Sequence, residues 1–428
     1  MSADRTPGFN TLAIHAGAQP DPATGARVTP IYQTTSFVFD DVDHAAALFN
    51  LETFGNIYTR IMNPTQAVLE ERIAALEGAT AALAVASGHA AQFIVFHTLL
   101  DPGDEFVAAR QLYGGSINQF GYSFKKCDWT VRWADTTDAE SFRAAVTPKT
   151  KAIFVESIAN PGGIVTDIEA IAKVAKDAGV PLIVDNTLAT PYLLRPIDYG
   201  ADIVVHSLTK FLGGHGNSIG GVIVDCGTFD WLASGRYPVL SQPTQSYHGI
   251  TLAETFGNFA FAIAARVLAL RDLGPAISPF NAFLILTGIE TLPLRMQRHC
   301  DNALAVAEWL SKHETVAWVN YAGLPGNAYH ALAKRYCPKG AGAVFTFGLK
   351  GGYEAGVKLV GNVKLFSHLA NIGDTRSLII HPASTTHRQL SDEDRSRAGA
   401  GPDVVRLSIG LEDGGDIIAD LDQALAAG

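Results

Sequence analysis

The sequence predicts an α/β protein with a mostly parallel central sheet. The clearest support comes from residues 151–186, where two buried apolar strands flank a helix that ends at Gly179. Strand, helix and strand at this spacing indicate a parallel crossover unit. Two further short apolar runs, at 201–206 and 221–224, predict additional strands of the same sheet, because strands buried on both faces are apolar throughout.

The helices of this region are indicated by their ends. In the crossover unit, Thr166 and Glu169 can form a capping box, which satisfies the free N–H groups at a helix start. An earlier helix begins in the same way, with Asn63 as the N-cap and Gln66 completing the box, and Gly78 can take the left-handed conformation that ends a helix. These signals place two helices beside the predicted strands.

The chain is long enough for more than one core, since 428 residues exceed the usual size of a single domain. We expect an N-terminal arm over residues 1–60, which are rich in turn formers, and a large α/β domain over 61–255. After about residue 255 the pattern becomes helical, with one strand at 344–348. Residues 256–428 are therefore expected to form a smaller C-terminal α+β domain.

Composition and charge argue against several function classes. The formal net charge is −10 and the lysines and arginines form no cluster, so no nucleic-acid partner is expected. The four cysteines are scattered and no metal-ligand motif occurs. This predicts free thiols in a reducing compartment and no metal site.

The sequence favours a protein without a membrane span. Residues 81–100 are apolar and long enough to cross a bilayer, but Ser87-Gly88 interrupts the run and three polar side chains within it would need partners in lipid. We therefore expect a buried helix that begins near residue 88, and no second candidate span. Residues 1–17 lack a signal-peptide pattern, so a cytoplasmic location is expected.

Polar residues follow three of the predicted strands, at the edge where parallel sheets bind ligands. Asn160 follows the first strand of the crossover unit, Asp185 closes the second, and Lys210 follows the next strand. A lysine and a carboxylate on converging strand ends are what pyridoxal phosphate (PLP) requires. The amine forms a Schiff base with PLP, and the carboxylate keeps the ring nitrogen protonated. The sequence therefore predicts a PLP site in which Lys210 carries the cofactor.

The phosphate group of such a cofactor needs anchoring as well. Ser87, Gly88 and His89 precede an apolar helix, whose first N–H groups and dipole favour an anion. Ser207 and Thr209 offer two hydroxyls next to the lysine. Small residues also begin helices simply because they cap well, and hydroxyls often bond locally to the backbone. Each feature supports the site only in combination with the others.

Two other kinds of site share parts of this pattern. Ser207 and Lys210 match the S-x-x-K motif of serine acyl-transferases of the penicillin-binding type, but the accompanying S-D-N and K-T-G motifs are absent. A dinucleotide site would need G-x-G-x-x-G, and residues 214–219 fail at its last position. The serine acyl-transferase stays open as a remote alternative.

Seven motifs in order carry a resemblance that runs nearly end to end. The matching segments are residues 55–65 (GNIYTRIMNPT), 86–91 (ASGHAA), 112–115 (LYGG), 184–187 (VDNT), 206–211 (HSLTKF), 381–387 (HPASTTH) and 405–408 (VRLS). In these motifs the chain resembles the Cys/Met-metabolism family of fold-type I PLP enzymes. The resemblance implies a mostly parallel seven-stranded central sheet with helices on both faces, a smaller C-terminal domain and an N-terminal arm.

The same resemblance implies roles for the cofactor-binding residues. Lys210 is similar to the family's Schiff-base lysine, which also moves protons between substrate carbons, and Asp185 is similar to the partner of the ring nitrogen. Tyr113 is similar to the tyrosine that stacks on the ring and acts as acid or base at the leaving group. The positions that match the family's phosphate contacts are Gly88, His89, Ser207 and Thr209.

Further matches concern the substrate and the neighbouring subunit. Arg406 is similar to the arginine that holds the substrate α-carboxylate, and Asn160 to a residue near that carboxylate and the ring oxygen. Tyr58 and Arg60 match a pair that reaches the phosphate of the neighbouring subunit. The resemblance therefore implies a homo-oligomer, namely a tetramer built from two catalytic dimers.

The reaction that the resemblance implies is γ-replacement on O-acetyl-L-homoserine. The partners would be this amino-acid ester and sulfide, or a small thiol such as methanethiol, and the products homocysteine or methionine with acetate. Two residues favour γ-replacement with sulfide within this family. Asn371 stands where many relatives carry serine, and Gly115 stands where methionine γ-lyases carry cysteine. Cystathionine γ-synthase and methionine γ-lyase activities remain the alternatives within the family.

Overall fold

A computed structural model of the protein describes residues 7–385, 388 and 399–427. The larger sheet has seven strands: β1 Ala81–Val85, β2 Glu105–Ala109, β3 Thr130–Ala134, β4 Thr150–Glu156, β5 Leu182–Asp185, β6 Ile203–Ser207 and β7 Gly221–Asp225. They lie in the order β1-β7-β6-β5-β4-β2-β3. Strand β7 runs antiparallel to both of its neighbours and every other pair is parallel. The predicted fold class is confirmed.

The central strands of this sheet are buried on both faces. Consecutive residues of β4, such as Ile153, Phe154 and Val155, are all inaccessible to solvent. Because neither face meets water, these strands show no alternation of apolar and polar residues. Polar side chains are therefore concentrated where the strands end, which is where the site lies.

The helices lie mainly between these strands and in the C-terminal half. The α-helices are Phe9–His15, Val42–Phe49, Pro64–Glu77, Gly88–Leu99, Gly114–Asn118, Ala139–Ala145, Ile168–Ala178, Thr190–Leu193, Trp231–Ser234, Pro238–Ser241, Leu252–Phe256, Ala260–Ala264, Arg271–Leu273, Pro279–Glu290, Leu292–Leu310, His330–Tyr336, Gly352–Asn362 and Gly414–Ala426. Two π-helical segments are Gln119–Ser123 and Ala265–Leu270. Short 3-10 segments are Phe124–Cys127, Pro196–Tyr199, Gln245–Tyr247, Gly257–Phe259 and Pro382–Ser384.

The ends predicted for the earlier helix are confirmed in part. Asn63 caps it by accepting a hydrogen bond from the Thr65 N–H at 2.9 Å, and Gly78 ends it in the left-handed region with φ of 73°. Gln66 completes no capping box, because its side-chain amide donates to the carbonyl of Ile277. A tertiary contact has replaced the local one.

The capping box predicted for the crossover helix is wrong by one residue. Asp167 is the N-cap of Ile168–Ala178, and its carboxylate accepts a hydrogen bond from the Ala170 N–H at 3.3 Å. The Thr166 hydroxyl donates instead to the carbonyl of Glu156 at 2.6 Å. A buried carbonyl at a strand end needs a donor, and Thr166 supplies it.

The apolar stretch 81–100 consists of strand β1 followed by the helix Gly88–Leu99. A second stretch, Leu252–Leu273, is long and apolar enough to span a bilayer by length and composition alone, with 44% of its apolar window buried. The expectation of no second candidate span was therefore wrong. Gly257, with φ of 55°, breaks the regular helix, and Phe261 lies in the core.

A smaller sheet lies in the C-terminal half. After the two-stranded ribbon of β8 Pro243–Thr244 and β9 Ile250–Thr251 come β10 Val316–Asn320, β11 Val344–Leu349, β12 Ser367–His368, β13 Leu378–Ile380 and β14 Val404–Ser408. The last five form a sheet in the order β10-β11-β14-β13-β12, in which only β12 and β13 pair in parallel. Its central strand, β14, carries Arg406.

The N-terminal region begins with a helix packed on the rest of the chain and continues with a segment that has exposed apolar side chains. The helix Phe9–His15 contacts the helix Pro64–Glu77. Further along, Val38 and Val42 are 96% and 83% exposed. The second part of this region therefore presents apolar side chains away from the chain's own core.

Candidate functional site

Ten of the twelve predicted site residues line one pocket of about 240 Å³. The pocket lies at the carboxyl ends of β4, β5 and β6. Asn371 and Arg406, from the C-terminal half of the chain, also line it. The ten are Gly88, His89, Tyr113, Asn160, Asp185, Ser207, Thr209, Lys210, Asn371 and Arg406.

Lys210 lies in a tight turn after β6. Its carbonyl accepts a hydrogen bond from the Gly214 N–H at 2.7 Å, and Gly214 has φ of 74°, which favours glycine. The Lys210 amine donates to Asn371 Oδ1 at 2.5 Å. Burial, helped by the nearby charge of Arg406, lowers the pKa of Lys210 to about 8. Much of the amine is therefore neutral near pH 8, the form that acts as nucleophile or base.

Asp185 ends β5 and faces Glu156 of β4 in the strand register. One carboxylate oxygen accepts a hydrogen bond from the Thr187 N–H at 3.0 Å, and the other from the Gln92 amide at 3.4 Å. Burial raises the pKa of Asp185, and its hydrogen bonds with Thr187 offset part of that rise. A cationic ring nitrogen beside this carboxylate would favour its ionised form.

The start of the helix that follows β1 forms one wall of the pocket. Ser87 caps this helix, since its Oγ accepts a hydrogen bond from the Ala90 N–H at 3.1 Å. The N–H groups of Gly88 and His89 belong to the first turn, where no intrahelical acceptor is available. A Cβ at Gly88 would lie only 2.9 Å from that of Ser207. Backbone that can approach this closely at a helix start suits a phosphate group.

The two hydroxyl residues before Lys210 are held by the backbone around them. The Ser207 N–H donates to the Thr187 hydroxyl at 2.9 Å. The Thr209 hydroxyl donates to the Gly220 carbonyl at 3.2 Å and accepts from the Gly220 N–H at 3.1 Å. Thr209 therefore ties the lysine turn to the start of β7 and also lines the pocket.

Arg406 brings a half-buried cation to the pocket from β14. Its guanidinium donates to Asn160 Oδ1 and to the Asn371 carbonyl, both at 3.2 Å. Burial lowers the pKa of Arg406 to about 10, so the group still carries its charge at neutral pH. A planar cation held in this way can receive a carboxylate through two parallel hydrogen bonds.

Tyr113 stands at the pocket with 47% of its surface exposed. Its ring meets the ring of His89 edge-on, with the centroids 5.8 Å apart. A Cβ at Gly115 would lie 2.4 Å from Tyr113 Cε1 and 2.8 Å from His89 Cε1. A side chain at residue 115 would therefore require Tyr113 or His89 to shift.

Two buried polar residues of the pocket were not predicted from the sequence. Glu156 accepts hydrogen bonds from the Tyr113 N–H at 2.6 Å and the Asn160 N–H at 2.9 Å. Gln92 joins Asp185 to the Ser116 hydroxyl. Glu156 is the last residue of β4 and lies one residue beyond the strand predicted over 151–155, and no motif marks it in the sequence.

Tyr58 and Arg60 do not reach this pocket in the same chain. Both residues line two surface cavities apart from this pocket, and the Arg60 guanidinium lies 5.3 Å from the centre of the Tyr58 ring. Arg60 also donates to the carbonyl of Arg271. Their place beside a neighbouring subunit's phosphate stays a prediction.

Residues 381–385, the described part of the motif at 381–387, do not line the pocket. His381 hydrogen-bonds to the Pro402 carbonyl at 2.8 Å and to the Ser384 hydroxyl at 3.0 Å. Thr386 and His387 lie outside the described residues. His381 therefore supports the small domain.

The donors and acceptors of the pocket fit PLP. A half-buried amine with a pKa near 8 suits the aldehyde, a carboxylate at a strand end suits the ring nitrogen, and a helix start without side-chain obstruction suits the phosphate. These groups are Lys210, Asp185 and Gly88. In the described residues, no three His, Cys, Asp or Glu side chains are grouped to hold a metal ion.

Sequence comparisons agree with this chemistry. The model of the family described as Cys/Met metabolism PLP-dependent enzyme matches residues 10–426. The O-acetyl-L-homoserine sulfhydrylase of Leptospira meyeri is 54% identical over 97% of this chain and 96% of its own length. O-acetyl-L-homoserine sulfhydrylase 1 of Thermus thermophilus is also 54% identical, over 98% of this chain and 100% of its own. The homocysteine synthase of Schizosaccharomyces pombe is 51% identical over 97% of this chain and 98% of its own.

A solved structure is similar over nearly the whole chain. It is a Campylobacter jejuni protein whose activity is inferred to be that of an O-acetylhomoserine (thiol)-lyase, and it carries a pyridoxyl-lysine phosphate. The two chains are 41% identical and superpose with a TM-score of 0.95, over 98% of this chain and 100% of the other.

Proposed function

The chain belongs to the Cys/Met-metabolism family of PLP-dependent enzymes, and on that basis we propose that it makes L-homocysteine and acetate from O-acetyl-L-homoserine and sulfide. The observation that carries the proposal is full-length identity of 54% to two proteins named O-acetyl-L-homoserine sulfhydrylase. The reaction is that of an O-acetylhomoserine aminocarboxypropyltransferase. A small thiol such as methanethiol would give L-methionine in the same way.

PLP, when bound, supplies the electron sink that makes proton removal at the substrate α carbon accessible near neutral pH. Lys210 is the base in this proposal. Its amine is half-buried and partly neutral at pH 8, so it can accept the proton of the α carbon. After passing that proton on, it can accept a second proton from the β carbon, and the electron pair left behind expels acetate from the γ carbon. Asn371 contacts the amine and can orient it during this transfer.

The remaining residues hold the substrate and assist its leaving group. Arg406 and Asn160 are already hydrogen-bonded to each other, and the guanidinium can bind the α-carboxylate. Tyr113 is exposed at the pocket and can donate a proton to the departing acetate. Asp185, which accepts a hydrogen bond from Gln92, can hold a protonated ring nitrogen.

Product analysis tests the proposed reaction. Purified protein supplied with PLP, O-acetylhomoserine and sulfide should release homocysteine and acetate without appreciable 2-oxobutanoate. Accumulation of 2-oxobutanoate would favour methionine γ-lyase activity, and faster turnover with cysteine than with sulfide would favour cystathionine γ-synthase.

The variant Lys210→Ala tests the assignment of the lysine. The wild type should show the visible absorbance band of lysine-bound PLP, and the variant should lose both this band and at least about a thousandfold in rate, as expected when a nucleophile and base is removed. Arg298→Ala on an exposed helix face is the matched control and should keep both. A wild type without the band, after preparation with PLP, would contradict the proposal.

We propose that the enzyme is a tetramer of two catalytic dimers in the cytoplasm. The exposed apolar residues Val38 and Val42 support an arm covered by a second copy, and Tyr58 and Arg60 would then reach the partner's phosphate. Four free cysteines fit a reducing compartment. The division into an arm to residue 60 and domains meeting near 255 belongs to the same proposal.

A further inference from the structure

Glu156 is a buried carboxylate whose two oxygens serve two different loops. Oε1 accepts a hydrogen bond from the Tyr113 N–H at 2.6 Å, and Oε2 accepts one from the Asn160 N–H at 2.9 Å. The residue is 3% exposed and lines the pocket. One rigid side chain at the end of β4 therefore connects two segments that are far apart in the sequence.

These two segments carry opposite ends of the proposed substrate site. Tyr113 begins the helix Gly114–Asn118, and its ring is half exposed with His89 as its aromatic neighbour. Its place thus depends strongly on its own backbone. Asn160 accepts a hydrogen bond from Arg406, so its backbone in turn helps to hold the guanidinium.

We propose that Glu156 is a positioning residue that sets the distance between Tyr113, at the leaving group, and the pair Asn160–Arg406, at the substrate carboxylate. This inference rests on the proposed γ-replacement. Glu156 touches the backbone of both loops, and it acts on the reaction through them. Each oxygen of Glu156 accepts from one of the two N–H donors, so a single carboxyl group holds both loops.

The variant Glu156→Gln tests this role with little change in shape. The amide keeps one acceptor oxygen but turns an N–H₂ group toward the second backbone N–H, so one of the two loops is released. We expect kcat for homocysteine formation to fall about ten- to a hundredfold, as for a displacement near 1 Å, with a smaller rise in KM for O-acetylhomoserine. The visible circular dichroism of bound PLP should change as well.

Asp420 provides the matched control. It is another buried carboxylate, and it accepts hydrogen bonds from the backbone N–H groups of Lys364, Leu365 and Phe366 at 2.8 to 3.0 Å. It lies on the C-terminal helix Gly414–Ala426 and does not line the pocket. Asp420→Asn should lower the thermal midpoint while kcat, KM and the PLP spectrum stay near wild type. A Glu156→Gln variant with that same profile would overturn the proposal.

A double-mutant cycle separates positioning from simple support. In a Tyr113→Phe background, which already lacks the acid, Glu156→Gln should lower kcat by only a few fold. A full, additive loss would show that Glu156 does not act through Tyr113. If Glu156→Gln fails to fold, Glu156→Asp keeps the carboxyl group but is too short to span both loops, and the same predictions apply to it.

The assays also distinguish this inference from the proposed function. A wild type that makes no homocysteine would contradict the γ-replacement, whatever Glu156 does. In that case the circular dichroism of bound PLP, which needs no substrate, still shows whether Glu156→Gln alters the orientation of the PLP ring in the pocket. An unaltered signal in Glu156→Gln and Glu156→Asp would then overturn the positioning role.

Discussion

At the scale of single residues, burial decides how the site is charged. Lys210 is surrounded by low-dielectric protein and has Arg406 nearby, so its ammonium form is disfavoured on both counts. Its hydrogen bond to Asn371 fixes where the amine points. The lysine is thereby prepared, before any ligand arrives, to react as a neutral amine.

Cofactor capture by the protein freed of PLP should therefore depend on pH around 8. Below the lowered pKa of Lys210 the amine is protonated, so the rate should rise about tenfold per pH unit as pH increases, and then level off above about 8. Stopped-flow absorbance of the developing visible band measures this rate. Arg406→Gln removes a nearby positive charge and should move the inflection to higher pH. An inflection near 10.5 in the wild type would contradict the assignment.

The sequence predicted the residues with a chemical signature and missed those with only a positional role. Lys210, Asp185 and Arg406 could be named because motifs and strand ends mark them. Glu156 and Gln92 carry no motif, and their role follows from contacts between segments far apart in the chain. Such contacts depend on tertiary packing, which local sequence patterns do not encode.

At the scale of secondary structure, the predictions were best where apolar periodicity marks an element and a capping residue or glycine marks its end. The crossover helix and its glycine end were found, while its N-cap moved from Thr166 to Asp167 because Thr166 satisfies a strand carbonyl instead. Strand β1 was missed because only a short break at Ser87-Gly88 separates its apolar residues from those of the next helix. The edge strand β3, whose Thr130 and Arg132 are exposed, was also not predicted.

The N-cap Asn63 should be worth more than an ordinary cap. It is fully buried, and its amide also donates to the Tyr32 carbonyl at 2.8 Å, so Asn63→Ala loses a cap and a tertiary bond. We expect a loss of about 1–2 kcal/mol, seen as a lower thermal midpoint of the PLP-bound protein. The exposed N-cap Asp138 is the control, and Asp138→Ala should cost less than about 1 kcal/mol. Equal shifts would contradict the added role of Asn63.

At the scale of the whole molecule, a single chain does not bring all the predicted phosphate-binding residues into its pocket. Ten site residues converge from both sheets, whereas Tyr58 and Arg60 lie elsewhere on the surface. The exposed apolar side chains of the same N-terminal region need a cover. A second copy of the chain would satisfy both observations.

Subunit mixing tests this arrangement. The variants Arg60→Ala and Lys210→Ala should each be nearly inactive, because each lacks one part of every site. Chains co-expressed in equal amounts should recover about a quarter of the wild-type activity, since half of the random dimers are hybrids and each hybrid has one complete site. Pairing Lys210→Ala with Asp185→Ala, two changes within the same pocket, should recover nothing. A mixture as inactive as its components would contradict a shared site.

The reversed strand β7 has a consequence for how the protein is made. It joins β6 to β1, and β1 has no other partner in the sheet, so Val85 pairs only with Gly221. During synthesis β1 emerges early and must wait for most of the large domain before it can pair. The helix that follows β1 begins at Gly88, and Lys210 lies in the segment between β6 and β7. The cofactor therefore finds its binding groups together only when the sheet is complete, so its capture would favour the finished domain over every partly folded one.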